Sequence, residues 1–237
     1  MRVVLVAACA ALGGCDLILL NENITSPPPP VVDAAPDAPP RPPFCFGDKF
    51  DAPMLDTARW QVIDPAASLA VLEQRDGALR VRLDGSIMST GDAKNGVFNQ
   101  AVFDFTDAVV EVAVQPANLD NPLLDTVFVL DAAGSIGTFT MRLSGGLLYM
   151  SATNQVPIQT PYKAGTRALR MVHLAASSEY VFESELAGQW REEARYMSTV
   201  KPTAVRVQLY AESRGGGGDG SEAIFDEVTL YAKNCVN

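Results

Sequence analysis

Val205-Arg206-Val207-Gln208-Leu209-Tyr210-Ala211-Glu212 alternates through its whole length. A period of two puts Val205, Val207, Leu209 and Ala211 on one face of an extended strand, and Arg206, Gln208, Tyr210 and Glu212 on the other. A helix, with its period of about 3.6 residues, cannot make that division. Leu79-Arg80-Val81-Arg82-Leu83 follows the same rule, and so does Ala108 to Gln115, where Val110, Val112 and Val114 alternate with Glu111 and Gln115. The connectors are turn formers: Arg75-Asp76-Gly77, Ala133-Gly134-Ser135, Ser144-Gly145-Gly146 and the run Gly215 to Gly218. Short strands with one wet face and such turns predict an all-β antiparallel sandwich or barrel, with helix confined to a turn or two.

The chain around these strands has 237 residues, 48% of them hydrophobic, enough to bury one large core or two small ones. Period-two segments separated by turn residues fill residues 44–237, with no long stretch of helical period, so this part reads as one domain. Lys and Arg number 18 against 28 Asp and Glu, a net charge of -10. With no basic block to meet phosphates, nucleic acid is excluded as a partner. His173 is the sole histidine, so His-rich metal sites and two-histidine relays are excluded too. Cys9, Cys15, Cys45 and Cys235 are too few and too scattered for a zinc ribbon.

The N-terminus reads as an address. Arg2 precedes an apolar run from Val3 to Leu12, and Gly13-Gly14 leads to Cys15. A basic start, a short apolar stretch and a small-residue exit describe an export signal, too short to span about 30 Å of hydrocarbon. Leu12-Gly13-Gly14-Cys15 resembles the lipobox of bacterial lipoproteins. That resemblance implies cleavage after residue 14, a thioether-linked lipid on Cys15, and anchoring to the bilayer of the cell envelope, with the leaflet left open. The alternative is an uncleaved anchor continued by Leu17-Ile18-Leu19-Leu20, against which Asp16 and the glycine pair argue. Residues 15–43 then form a tether, since residues 21–43 hold nine of the 16 prolines and no aromatic residue before Phe44. Extended at about 3.1 Å per residue, that stretch reaches on the order of 70 Å.

Cys45 and Cys235 bracket the β domain. In an exported chain such a pair is most simply a disulfide, and two unrelated buried thiols are the alternative.

Phe46-Gly47-Asp48-Lys49-Phe50-Asp51, followed by Leu55-Asp56-Thr57-Ala58-Arg59-Trp60, resembles the opening of concanavalin A-like lectin/glucanase domains, a group that includes laminin-G-like members. Tyr162 to Thr166, Leu169-Arg170-Met171, Tyr180 to Ser184 and Gly188-Gln189-Trp190 follow in an order similar to that family's. The ending, Ala223-Ile224-Phe225-Asp226-Glu227-Val228-Thr229-Leu230-Tyr231, resembles its closing strand. The resemblance spans Phe46 to Ala232 and implies a jelly-roll sandwich of two antiparallel sheets, one of them concave.

Glycoside cleavage needs two carboxylates on one face, and laminarinase-like enzymes of this family carry Glu-x-Asp-x-x-Glu on one strand. That spacing is absent. Glu183-x-Glu185 comes nearest, but Gly188 stands at the third position, and a solvated strand face explains the pair. Asp226-Glu227 is adjacent in sequence and is expected to split between the two faces. Gly134-Ser135-Ile136-Gly137 is one residue short of a nucleophile elbow. His173, on an expected strand, reads as a hydrogen-bonded structural residue. No catalytic residue is assigned.

Calcium is the one cofactor to weigh, since some relatives of this fold hold it with loop oxygens. Its candidates are Asp92, Asn95, Asn118, Asp120, Asn121, Asp125, Asp219 and Glu222, with Asp219 and Glu222 foremost. The same residue types form turns without metal. Tyr149, Tyr210 and Trp190 are the candidate ligand platforms, although the resemblance also makes Trp60 and Trp190 framework residues. The expectation is a non-catalytic lipoprotein binding a glycan or a protein. A divergent glycosidase or lyase, and a purely structural envelope lipoprotein, are the alternatives.

Overall fold

A computed structural model of the protein describes residues 42–63, 70–83, 93–132, 137–198, 202–215 and 218–235. The expected signal 1–14, Cys15, the tether up to residue 41, Asp92, Gly134-Ser135 and Gly216-Gly217 lie outside them. The described residues form fifteen strands and no helix. In chain order the first eight are β1 (Phe44–Asp48), β2 (Trp60–Val62), β3 (Ala70–Arg75), β4 (Ala78–Leu83), β5 (Ala93–Asn99), β6 (Val109–Gln115), β7 (Leu124–Ala132) and β8 (Gly137–Ser144). The remainder are β9 (Leu147–Ala152), β10 (Ile158–Pro161), β11 (Thr166–Leu174), β12 (Glu179–Leu186), β13 (Gln189–Met197), β14 (Val205–Ser213) and β15 (Glu222–Tyr231).

They pair, all antiparallel, into two sheets. One runs β13-β12-β11-β6-β15-β4-β3 and takes β1 as an eighth strand beside β15. The other runs β10-β9-β8-β7-β14-β5-β2. The fold is the two-sheet β-sandwich of the concanavalin A-like jelly-roll class. Alternation aims each strand's apolar set inward. Val110, Val112 and Val114 of β6 and Val205, Val207 and Leu209 of β14 are all buried, in one cluster with Trp60, Phe105, Phe128, Phe139, Phe182 and Phe225. The Trp60 indole, wholly inside, still satisfies its donor on Asp48 Oδ2 at 2.7 Å.

Two-residue loops close the tight hairpins. Gly145 and Gly146 take φ of 53° and 72° between β8 and β9, a left-handed pair that matches the twist of the flanking strands. The first and last strands meet: β1 pairs with β15, and Cys45 is disulfide-bonded to Cys235 across 190 residues with Cα atoms 5.3 Å apart.

One expectation fails here. Asp226 and Glu227 do not split between faces, because a bulge interrupts the β15–β6 register between Phe225 and Glu227. Phe225 and Val228 are both fully buried in the core, so the two residues between them share the outward side. They hold neighbours rather than each other: Gln115 Nε2 donates to Asp226 at 3.4 Å, and Thr229 Oγ1 donates to Glu227 at 3.4 Å.

Candidate functional site

The centre of the seven-stranded sheet is β7. Its Leu124, Phe128, Leu130 and Ala132 enter the core, so alternation sends Asp125, Val127, Val129 and Asp131 to the outer face. Outward valines on a bare sheet stand in water, yet Val127 is 1% exposed and Val129 4%. Tyr210 of the flanking strand β14 joins both in a second apolar cluster, separate from the core, and Ile63, just past β2, packs against it. The result is an apolar strip covered by its neighbours.

Register assembles a row across it. Gly96 of β5 faces Tyr210 of β14, Tyr210 faces Val127, Val127 faces Arg142 of β8, and Arg142 faces Tyr149 of β9. Gly96 has a packing reason to be glycine. A Cβ there would lie 2.1 Å from the Leu209 carbonyl oxygen and 2.5 Å from Tyr210 Cα, far inside van der Waals contact.

Cations dress the row. The Lys94 ammonium lies 3.7 Å from the Tyr210 ring centroid, and the Arg142 guanidinium 4.6 Å from that of Tyr149. Burial lowers the Lys94 ammonium's pKa, against the pull of Glu212 and Asp131. Burial also raises the Tyr210 phenol, with Glu212 adding to the rise, so it stays a neutral donor at physiological pH. At one end of the strip sits Asp125, its side chain fully buried. Arg214 Nη2 donates to Asp125 Oδ1 at 3.1 Å, to the Pro122 carbonyl at 3.1 Å and to Ser144 Oγ at 3.3 Å. Arg142 Nη1 lies 3.6 Å from Asp125 Oδ2, an oxygen with no hydrogen bond.

The sequence candidates disperse. Tyr149 and Tyr210 share this row, but Tyr210 is 8% exposed beneath Lys94, so it lines the floor instead of offering an open platform. Trp190 lies on the eight-stranded sheet, half-buried against the Arg170 guanidinium at 4.2 Å. Asp219 and Glu222 are not brought together. Asp219 Oδ2 accepts from Asn118 Nδ2 at 2.9 Å and Asn121 Nδ2 at 3.1 Å. Burial raises its pKa somewhat, but these bonds and those from Ser221 prevail and hold it at about 2. Glu222 is claimed by Arg75 at 2.8 Å and Arg80 at 3.1 Å. No group of three or more His, Cys, Asp or Glu side chains capable of holding a metal occurs among the described residues.

Glu183 pairs with Arg170, while Glu185 accepts from the Gly188 amide. His173 is buried, and its Nδ1 accepts from the Asp107 amide at 3.3 Å. Arg142, Arg214, Lys94 and the valines of β7 escaped the sequence reading, since only strand register makes them neighbours. The signal within reach was Leu124–Ala132 itself, an apolar run punctuated by two aspartates six residues apart, hence on one face.

This architecture places the chain among the concanavalin A-like jelly rolls, a class defined by fold. No protein-family pattern and no curated protein sequence matches it. Solved structures do. An endo-acting O-glycanase of the human gut microbiota, which initiates mucin breakdown, superposes with a TM-score of 0.62 at 15% identity, over 80% of this chain and 99% of its own. A pseudo β-1,3-glucanase and immunostimulatory antigen of Mycobacterium tuberculosis gives 0.57 at 15% identity, over 81% of this chain and 99% of its own. A legume lectin-like domain from Entamoeba histolytica gives 0.52 at 8% identity, over 73% and 89%.

Proposed function

We propose that this protein is a bacterial envelope lipoprotein, anchored through Cys15 and tethered by residues 15–43, whose jelly roll binds a glycan without cleaving it. The observation that carries the reading is the content of the outer face of β7. Its centre holds Val127 and Val129, between Tyr210 and the Arg142–Tyr149 pair, where a hydrolase needs carboxylates open to substrate. Val127, Val129 and Tyr210 are covered, so a sugar ring would lie over the half-buried Tyr149 and the cations above the strip, which offer a ring face to its apolar side and N–H donors to its hydroxyls. The similar structures include glycan-processing enzymes, a pseudo-glucanase and a lectin-like domain, which supports a glycan as the ligand class.

The test is titration of the full-length chain in mild detergent with a polysaccharide panel. Saturable binding to at least one glycan, with no new reducing ends, is the expected result. Absence of binding to every glycan, with and without calcium, overturns it. The anchor has its own test: metabolic labelling with radioactive palmitate, expected to mark the wild type and to fail on Cys15→Ser.

A second reading, a divergent glycosidase, draws on one observation. Asp125 and Glu212 face each other across β7 and β14. Side chains so placed have Cβ atoms about 4.5–5.5 Å apart, near the spacing of about 5–5.5 Å that retaining enzymes use between carboxyls. Asp125 is fully buried behind two arginines, however, which leaves no path for attack on a sugar. Hydrolysis abolished by Glu212→Gln would reinstate this reading.

A further inference from the structure

We infer that the glycan taken by the outer face of the seven-stranded sheet is an anionic one, a sugar chain bearing carboxylate or sulfate groups, recognised by Arg142, Arg206, Arg214 and Lys94. The inference rests on the proposed glycan-binding role and names its ligand class. It starts from how the two outer faces spend their cations. On the eight-stranded sheet Arg75, Arg80, Arg170 and Arg195 each pair with a carboxylate of their own sheet, Glu222, Glu183, Glu179 or Glu192, whereas Arg167 and Arg191 have no ion pair among the described residues. The seven-stranded sheet is arranged differently.

Arg142 meets a ring face and one carboxylate oxygen at 3.6 Å, and makes no hydrogen bond among the described residues. Arg206 stands opposite Asp131 in the β14–β7 register and lies 5.6 Å from the Phe98 ring centroid, with no ion pair among the described residues. Lys94 covers Tyr210 and reaches Gln208 Oε1 at 3.5 Å, also without an ion pair. Arg214 spends a single nitrogen, Nη2, on its three acceptors. A guanidinium has five N–H donors; the Nε atoms of Arg142, Arg206 and Arg214 are buried, so the unspent donors that a ligand can reach are their terminal Nη groups.

The arrangement also selects. Asp125 is shared by Arg142 and Arg214, so one buried anion holds two guanidiniums in place without neutralising both. The Asp125 carboxylate is fully buried with one oxygen unbonded, which makes it an anchor for arginines rather than a contact for solvent. Arg206 stands at one end of the outward row Arg206, Gln208, Tyr210, Glu212 of β14, and Arg142 stands across Val127 on the other side of the strip. Cations therefore flank the apolar floor from both sides, interleaved with Asp131 opposite Arg206 and Glu212 opposite Lys94, within a chain whose net charge is -10. A planar guanidinium with free N–H groups matches carboxylate and sulfate oxygens, which a neutral sugar lacks.

The test titrates the full-length chain in mild detergent with three probes: polygalacturonate for carboxylates, dextran sulfate for sulfates, and the neutral glucan laminarin. Wild type is expected to bind one acidic probe at least tenfold more tightly than laminarin, with affinity falling as salt rises. Arg206→Gln, which breaks no ion pair, and Arg142→Lys, which keeps the charge but loses the fork, should each weaken that binding about tenfold. Arg191→Gln on exposed β13 should not change it. Unfolding curves for each variant separate lost recognition from lost fold. Equal or tighter binding of laminarin, or acidic binding unmoved in both variants, overturns the inference and leaves the glycan-binding role standing. Failure of all three probes, the neutral one included, overturns both.

Discussion

Arg214 donates to Asp125 at 3.1 Å, and the two partners differ sharply in exposure: the aspartate side chain is 0% exposed and the arginine 41%. The pair should therefore respond asymmetrically to truncation. Arg214→Met strands a buried carboxylate beside Arg142 alone, and removing one partner of a buried pair costs about 3–5 kcal/mol. Asp125→Leu leaves two guanidiniums that can both turn to water, so its loss should stay near about 1 kcal/mol. Urea unfolding of both variants checks the order, and a larger loss for Asp125→Leu would show that the arginines cannot swing out.

The join between β1 and β15 gives a second expectation. Cys45 and Cys235 close a loop of 190 residues, and a crosslink of that length stabilises by about 5 kcal/mol in the chain-entropy picture, usually less in practice. Cys45→Ser, Cys235→Ser and the double variant should each lose about 3 kcal/mol or more, and all three by the same amount, since any one breaks the same bond. Reductant should bring wild type to the variants' unfolding midpoint and leave theirs unmoved. Unequal losses would mean that one sulfur contributes packing beyond the crosslink.

His173 sets a pH dependence. Burial lowers its pKa below the ordinary 6.5, with Asp107 and Asp104 pulling the other way. A base whose folded pKa is depressed binds its proton more readily in the unfolded chain, so stability is full above about pH 6.5 and falls as pH drops toward the folded value. The fall cannot exceed about 1.4 kcal/mol per pH unit for one proton. Asp107, held below 3.8 chiefly by the Lys233 hydrogen bond and also by the Ala175 amide, extends the loss at more acid pH. Unfolding measured from pH 7.5 to 5 should show the first slope, and His173→Gln should flatten it.

Much of this fold was legible because β4, β6 and β14 each have one wet face, which writes alternation into the sequence. β7 hid its role, since it is buried on both faces and its outward valines look like core. The bulge at Asp226 was equally hidden, because it depends on the pairing of β15 with β6 and not on either strand's composition. Alternation did assign Tyr210 to the outer face. It could not reveal that Lys94 covers the ring, because the register of β5 against β14, strands distant in sequence, is a tertiary property; the Arg142–Tyr149 pairing was within reach, since the two-residue Gly145-Gly146 loop fixes the β8–β9 register.

The two tyrosines of the row should separate binding from stability. Tyr149 is half-buried with Arg142 over its ring, so Tyr149→Ala removes a face available to a sugar while leaving the core untouched. Its stacking contribution of about 0.5–1.5 kcal/mol corresponds to a weakening of glycan binding of about three- to tenfold, with little change in unfolding midpoint. Tyr210 is 8% exposed, packed on Val127 and Val129 and capped by Lys94. Truncating it opens a cavity over β7, and losses of about 3 kcal/mol accompany such aromatic-to-alanine changes. Tyr210→Phe keeps the packing and removes only the phenol, so it should restore stability. If the phenol serves as a hydrogen-bond donor to the ligand, this variant alone should bind weakly while folding normally, a combination that a purely structural Tyr210 does not produce.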